Sequence, residues 1–136
     1  MSPGLLDTNV FIHAHTTDEL SEECRRFLAA LERGSIHARL EPLVVHELSY
    51  ALRHYIKGMT RDEIAEYILA VLQWPGIDAD KDLLSATLDL WRNVPDAGFV
   101  DAYLAAIAKE QGCPVFSKNV KDFRAAGANV PAQLPH

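Results

Sequence analysis

Apolar positions along this chain change their period repeatedly, and the changes divide it into short strands and longer helices. Leu5 and Leu6 form a brief apolar run that ends at Asp7, with the small polar Thr8 and Asn9 behind it, which predicts a buried strand giving way to a loop. Past the polar stretch Thr16-Thr17-Asp18-Glu19, the residues Cys24, Phe27, Leu28 and Leu31 follow helical i, i+3, i+4, i+7 spacing, and Gly34 stops the helix. Ile36, Ala38 and Leu40 alternate with polar neighbours, so a second short strand is expected over 35–40. Glu41-Pro42 then starts a helix with proline near its first position. Val44, Leu48, Ala51, Leu52 and Tyr55 make its buried stripe, and Glu47 lies just beside it. After Gly58, Thr60-Arg61-Asp62-Glu63 is a capping-box pattern opening a helix that carries Ile64, Ile68, Val71 and Leu72 and ends at Trp74-Pro75-Gly76.

The second half repeats the alternation. Positions 77–79 suit a short strand, and Asp80 can cap a helix with Leu83, Leu84, Leu88 and Trp91 on one side. A loop over 93–98 leads to a helix marked by Val100, Leu104, Ile107 and Ala108, with Asp101 in its first turn and Gly112 at its end. An apolar run of strand length covers 113–117, and Lys118-Asn119 closes it much as Asp7 closes the first strand. A short helical piece around Asp122 and Phe123 and a last strand near 128–130 complete the chain. Parallel strands need helical crossovers, so the pattern implies an α/β fold with a parallel sheet covered on both faces.

Composition narrows this further. The 136 residues are 49% hydrophobic and 24% charged, which fits one ordinary domain spanning 1–136. With 19 acidic against 13 basic residues the formal charge is -6, so no global basic field recruits nucleic acid. A polyanion would have to be met by a local basic rim or a bound cation. Cys24 and Cys113 read as reduced core residues, and no metal knuckle is present. The sequence shows no leader, lipidation signal or apolar run long enough for a bilayer, which predicts a cytoplasmic protein with no membrane partner.

Candidate chemistry lies at element ends. Asp7 closes a strand, Glu47 flanks a helix stripe and Asp101 opens a helix, with Asn119 as a polar fourth. Brought together, three acids repel one another until a cation relieves them, and oxygen-only ligands favour Mg2+ or Mn2+ over zinc. Other chemistries fit less well. His46-Glu47-Leu48-Ser49-Tyr50 begins like a zinc-protease helix, but Tyr50 stands where the second histidine is needed. An aspartyl phosphatase of the haloacid-dehalogenase type needs a second aspartate where this chain has Asn9. Glycine-rich phosphate loops and a serine nucleophile elbow are missing. His13 and His15 read as surface or loop residues, and Trp74 and Trp91 as packing.

Four ordered segments carry a resemblance. Leu5-Leu6-Asp7-Thr8-Asn9, His46-Glu47-Leu48, the stretch from Phe99 through Asp101 to Ala108, and Phe116-Ser117-Lys118-Asn119-Val120-Lys121-Asp122-Phe123 are similar to the motifs of PIN-domain ribonucleases. Within them the chain most resembles the small bacterial VapC-type toxins. The resemblance implies a three-layer α/β/α sandwich around a parallel sheet of four to five short strands. It also implies a metal-dependent ribonuclease, with Asp7, Glu47 and Asp101 as ligands of Mg2+, or of Mn2+, and with Thr8 and Asn9 shaping the site. Family members often place a fourth aspartate where this chain has Asn119, so Asn119 is read as lining the pocket and Asp122 as an accessory acid. Arg53, His54 and Lys57, together with Lys118, Lys121 and Arg124, could form a basic rim for RNA. Implied partners are a second copy of the chain and a cognate antitoxin, with the helices over 42–55 and 60–73 as candidate surfaces. The alternative is a PIN-like module without activity that binds RNA or protein.

Overall fold

The structure is a computed structural model in which residues 2–136 are described. Its sheet is built from β1 (Gly4–Leu5), β2 (Ala38–Arg39) and β3 (Ile77–Asp78), all parallel and in the order β1-β2-β3. Gly4 pairs with Ala38 and Leu5 with Arg39; on the other side of β2, Ala38 pairs with Ile77 and Arg39 with Asp78. Flanking backbone bonds lengthen the ladder, since Leu6, Ala38 and Leu40 donate to Arg39, Gly76 and Asp78, each at 2.9 Å. The helices among the described residues are α1 (Thr8–His15), α2 (Ser21–Arg33), α3 (Pro42–Tyr55), α4 (Arg61–Leu72), α5 (Lys81–Asn93), α6 (Phe99–Gln111) and α7 (Val120–Ala125). None of them is long and apolar enough to cross a membrane. By its contacts the chain divides into two compact units, one ending at Lys81 and one running from Asp82 to His136.

In the first unit α1 packs on α2 and α3, and α3 packs on α4. Phe11, Leu31, Leu48, Leu52, Ile64, Ile68 and Leu72 are fully buried there. The stripe of α4 is the one its spacing predicts, and the capping box is formed. Glu63 N–H donates to Thr60 Oγ1 and Thr60 N–H to Glu63 Oε1, each at 3.1 Å. Thr60→Ala takes away the acceptor of the Glu63 N–H and should lower stability by about 1 kcal/mol, read as an earlier midpoint in urea unfolding. On α3 the buried residues are Val45, Leu48, Ser49 and Leu52, whereas Tyr55 is 58% exposed. The buried stripe is therefore rotated from the predicted one: Ala51 and Tyr55 face a cavity and not the core.

The chain departs from expectation at β1 and again just after it. Leu5 is 71% exposed, so β1 is an edge strand in this sheet, and burial begins only at Leu6. The chain then enters α1 directly where a loop was expected. Asp7 has extended backbone and caps the helix, and Thr8, Phe11 and Ala14 are its buried side. His15, read from the sequence as a surface or loop residue, is exposed at the last position of that helix, with Nε2 at 2.7 Å from the Tyr67 hydroxyl. Burial, with Arg25 nearby, lowers the His15 pKa, and burial pushes the Tyr67 phenol up to about 12.

The second unit has a core of Ala105, Ala108, Val115, Phe123, Ala126, Ala128 and Val130, with α7 packed on α6. The buried side of α6 is Phe99 and four alanines, Ala102, Ala105, Ala106 and Ala108, whereas the predicted Val100 and Leu104 are 50% and 42% exposed. Small residues allow close approach, and the predicted stripe meets the buried side only at Ala108. The predicted strands over 113–117 and 128–130 do not form, which leaves three strands among the described residues and not four to five. One backbone bond, Val115 N–H to Asn129 C=O at 2.9 Å, joins the two stretches. On the N-terminal side of Val115 no further donor is free for a ladder, because the Cys113 N–H is spent on Ala108 C=O at the end of α6 and Pro114 has no N–H. Cys113 is exposed there, where a core position was expected.

Candidate functional site

Asp7 and Glu47 are 40 positions apart in sequence, and Thr8 brings them together. The Thr8 backbone N–H donates to Asp7 Oδ1 at 2.8 Å, and the Thr8 hydroxyl donates to Glu47 Oε1 at 3.2 Å. Thr8 is buried and both acids are exposed, so the bridge is anchored from below and its carboxylates are open above. The placement is local in origin. β1 delivers Asp7 to the N-terminus of α1, where backbone donors favour an anion, and Pro42 starts α3 so that Glu47 falls in its second turn. No lysine or arginine pairs with either acid among the described residues.

The bridge opens on a cavity of about 480 Å³. From α1 it is lined by Asn9, Ile12 and His13, at the spacing of one helix face, and from α3 by Glu47, Ala51 and Tyr55. Thr16 and Asp18 close one side. Asp18 is the most heavily bonded acid there. His13 Nδ1 lies 2.9 Å from its Oδ2, the Thr16 hydroxyl donates to the same oxygen at 2.8 Å, and Leu20 N–H donates to Oδ1 at 2.8 Å. Those bonds, His13 first, hold the Asp18 carboxyl well below the usual carboxylate range.

The remaining acid and amide candidates lie in the second unit. Asp101 is half-buried in the first turn of α6. Asn119 precedes α7, its side chain donating to Asp122 Oδ2 at 3.0 Å and its backbone N–H to Ser117 Oγ at 2.9 Å. Asn119 and Asp122 are thus tied to each other. Among the basic candidates, Lys118 Nζ donates to Ala132 C=O at 3.4 Å and Arg124 to Val130 C=O at 3.2 Å, so both help hold the end of the chain. Arg53, His54, Lys57 and Lys121 are exposed.

Sequence reasoning passed over Ile12, His13, Thr16, Asp18 and Tyr55, all of which line the cavity. The signal was present. Had Asp7 been read as a helix cap, Asn9, Ile12, His13 and Thr16 would have fallen at i, i+3, i+4 and i+7, one continuous face.

Two unpaired carboxylates with a hydroxyl between them form an all-oxygen donor set, which fits a hard divalent cation and not zinc. Among the described residues no three His, Cys, Asp or Glu side chains are gathered as a ready-made metal cluster. Magnesium does not require one, because it keeps several waters and is commonly held by one or two carboxylates and the phosphate of a substrate. No curated protein matches the chain. Residues 4–129, however, match the PIN domain, a family whose members are generally nucleases that use divalent metals. With that match reaching from β1 past α7 and the Asp7–Thr8–Glu47 bridge inside it, the chain belongs to the PIN-domain family.

Proposed function

We propose that this protein is a Mg2+-dependent endoribonuclease and the toxin of a type II toxin–antitoxin pair. The observation that carries the nuclease reading is the Thr8 bridge, which holds two carboxylates open side by side without a basic partner. Such an arrangement is repulsive by itself, and a cation is what makes it favourable. Asp7 and Glu47 would hold Mg2+ or Mn2+, with Asp101 as the third acid of the set and Asn119 and Asp122 as accessory polar groups. When bound, the ion supplies positive charge against the phosphoryl oxygens and makes water a better nucleophile at neutral pH. Thr8 keeps the two carboxylates in register, and Asn9 offers an amide to the same cavity. Arg53 and Lys121, exposed and basic, would meet the RNA backbone, as would Lys118 to a lesser degree. The ion's charge also explains how a chain of net charge -6 can handle a polyanion. A second copy of the chain, a cognate antitoxin and a cytoplasmic location complete the reading.

The test is direct. Purified protein incubated with RNA should cleave it with Mg2+ or Mn2+, lose the activity with a chelator, and regain it when metal is added in excess. Expression without an antitoxin should arrest growth. No cleavage of any RNA at high metal would leave a PIN-like binding module in place of an enzyme.

A further inference from the structure

His13 is built into the cavity more firmly than a rim residue needs to be. Asp18 holds its Nδ1 at 2.9 Å while Asp18 itself is fixed by Thr16 and by Leu20 N–H. A carboxylate only accepts hydrogen bonds, so the hydrogen between the two must sit on Nδ1. In the uncharged ring the lone pair then lies on Nε2. The His13 side chain is 34% exposed, lines the cavity with Asp7, Thr8 and Glu47, and makes no hydrogen bond through Nε2 among the described residues. A lone pair needs a donor. Phosphate oxygens and carboxylates cannot supply one, whereas base N–H groups and hydroxyls can, and a hydroxyl is present on every sugar of RNA whatever its base.

The rest of the cavity suits such a nucleotide. Ile12, Ala51 and the exposed ring of Tyr55 give it an apolar and aromatic side for a base, and His13, Thr16 and Asp18 give it a polar side for a sugar. We propose that His13 determines specificity by accepting, at Nε2, a hydrogen bond from the 2′-hydroxyl of the nucleotide seated beside Asp7 and Glu47. Asp18 is the positioning residue that fixes the tautomer. This rests on the nuclease reading above, and His13 makes or breaks no covalent bond. Asp18 also closes the turn between α1 and α2, its backbone N–H donating to Ser21 Oγ at 3.0 Å, so a loss of activity alone would not separate recognition from structure.

The ratio between two substrates does separate them. Oligoribonucleotides each carrying one 2′-deoxy sugar, walked across the cleavage position, would be compared by kcat/KM with the all-ribose strand. The wild-type protein should show one position with a penalty of roughly 2- to 10-fold, the worth of one hydrogen bond. His13→Asn keeps a donor for Asp18 but has no Nε2, and should erase the penalty at that position alone. Asp18→Asn frees the ring to turn and to change tautomer, and should shrink the penalty without removing it, since a 2′-hydroxyl can also accept from an Nε2–H. A structural role would slow every strand equally and leave the ratio intact in both variants, which overturns the proposal. A steeper salt dependence with an unchanged ratio would mean a phosphate contact and overturns it too. A wild-type protein that cleaves no RNA sinks the nuclease reading and this inference with it, whereas normal cleavage with no position-specific penalty sinks the inference alone.

Discussion

Asp7→Asn is expected to abolish metal-dependent cleavage and leave the unfolding temperature almost unchanged, and Asp7→Ala to lose both. The two substitutions differ because Asp7 has two jobs. Its backbone is extended, at φ -95 and ψ 152, and its Oδ1 caps α1 by accepting the Thr8 N–H at 2.8 Å. Asparagine caps as well as aspartate, so its amide oxygen can keep that bond; alanine cannot, which costs about 1 kcal/mol, or a few degrees in a chain of this size. The charge is a separate matter. Asparagine removes half of the negative charge that the Asp7 and Glu47 pair offers a divalent ion. Charge stabilisation by a catalytic metal is worth several kcal/mol, so cleavage should fall by about 10²- to 10³-fold or more. Initial rates at high Mg2+, set beside thermal unfolding of the same samples, read both effects. Wild-type rates in Asp7→Asn would remove Asp7 from the ligand set whatever the fold shows.

The double duty of Asp7 also explains why the fold is legible in the sequence in some places and not in others. Helices with a strong signal at the start and a bulky apolar stripe, such as α4 behind its Thr60 capping box, are legible almost residue by residue. So are the stops at Gly34 and Gly112, whose φ values of 78 and 66 need a residue without a Cβ. Element type fails where one residue serves two rules. Asp7 comes after an apolar pair as a strand-ending residue should, and it precedes Thr8 and Phe11 as a cap should; only tertiary packing of Phe11 decides for the helix. It fails again where alanines pack more closely than the larger Val100 and Leu104 on α6. Ladder formation over 113–117 depends on which donors are already committed, and hydropathy carries no record of that. The pairing of Asp7 with Glu47 is an inference from residue type and element ends, and it needs Thr8 to realise it, a residue to which the family resemblance assigns only a shaping role.

Gly76→Ala should be the most destabilising small substitution in the first unit, by about 3 kcal/mol or more. A Cβ at Gly76 would stand 2.3 Å from Ile36 O, 2.5 Å from Leu31 O and 2.8 Å from Leu31 Cα. All three are backbone atoms, so no side chain can swing aside to make room. The same residue donates its N–H to Leu31 C=O and accepts from Ala38 N–H, both at 2.9 Å, and so ties the end of α2 to β2 at the point where β3 begins. Relief therefore means moving β3 or the end of α2, and either move breaks ladder bonds. Gly58→Ala is the matched control. Its φ of 80 strains an alanine by about 1 to 2 kcal/mol, yet nothing lies within 4 Å of the added carbon. Urea unfolding should rank Gly76→Ala well below Gly58→Ala, and a Gly76 variant within about 1 kcal/mol of wild type would show that the sheet yields more easily than its backbone contacts imply. The effect should reach the site as well. β2 hands the chain through Leu40 to α3, which carries Glu47, so any soluble Gly76→Ala protein should lose cleavage more steeply than its folded fraction alone predicts.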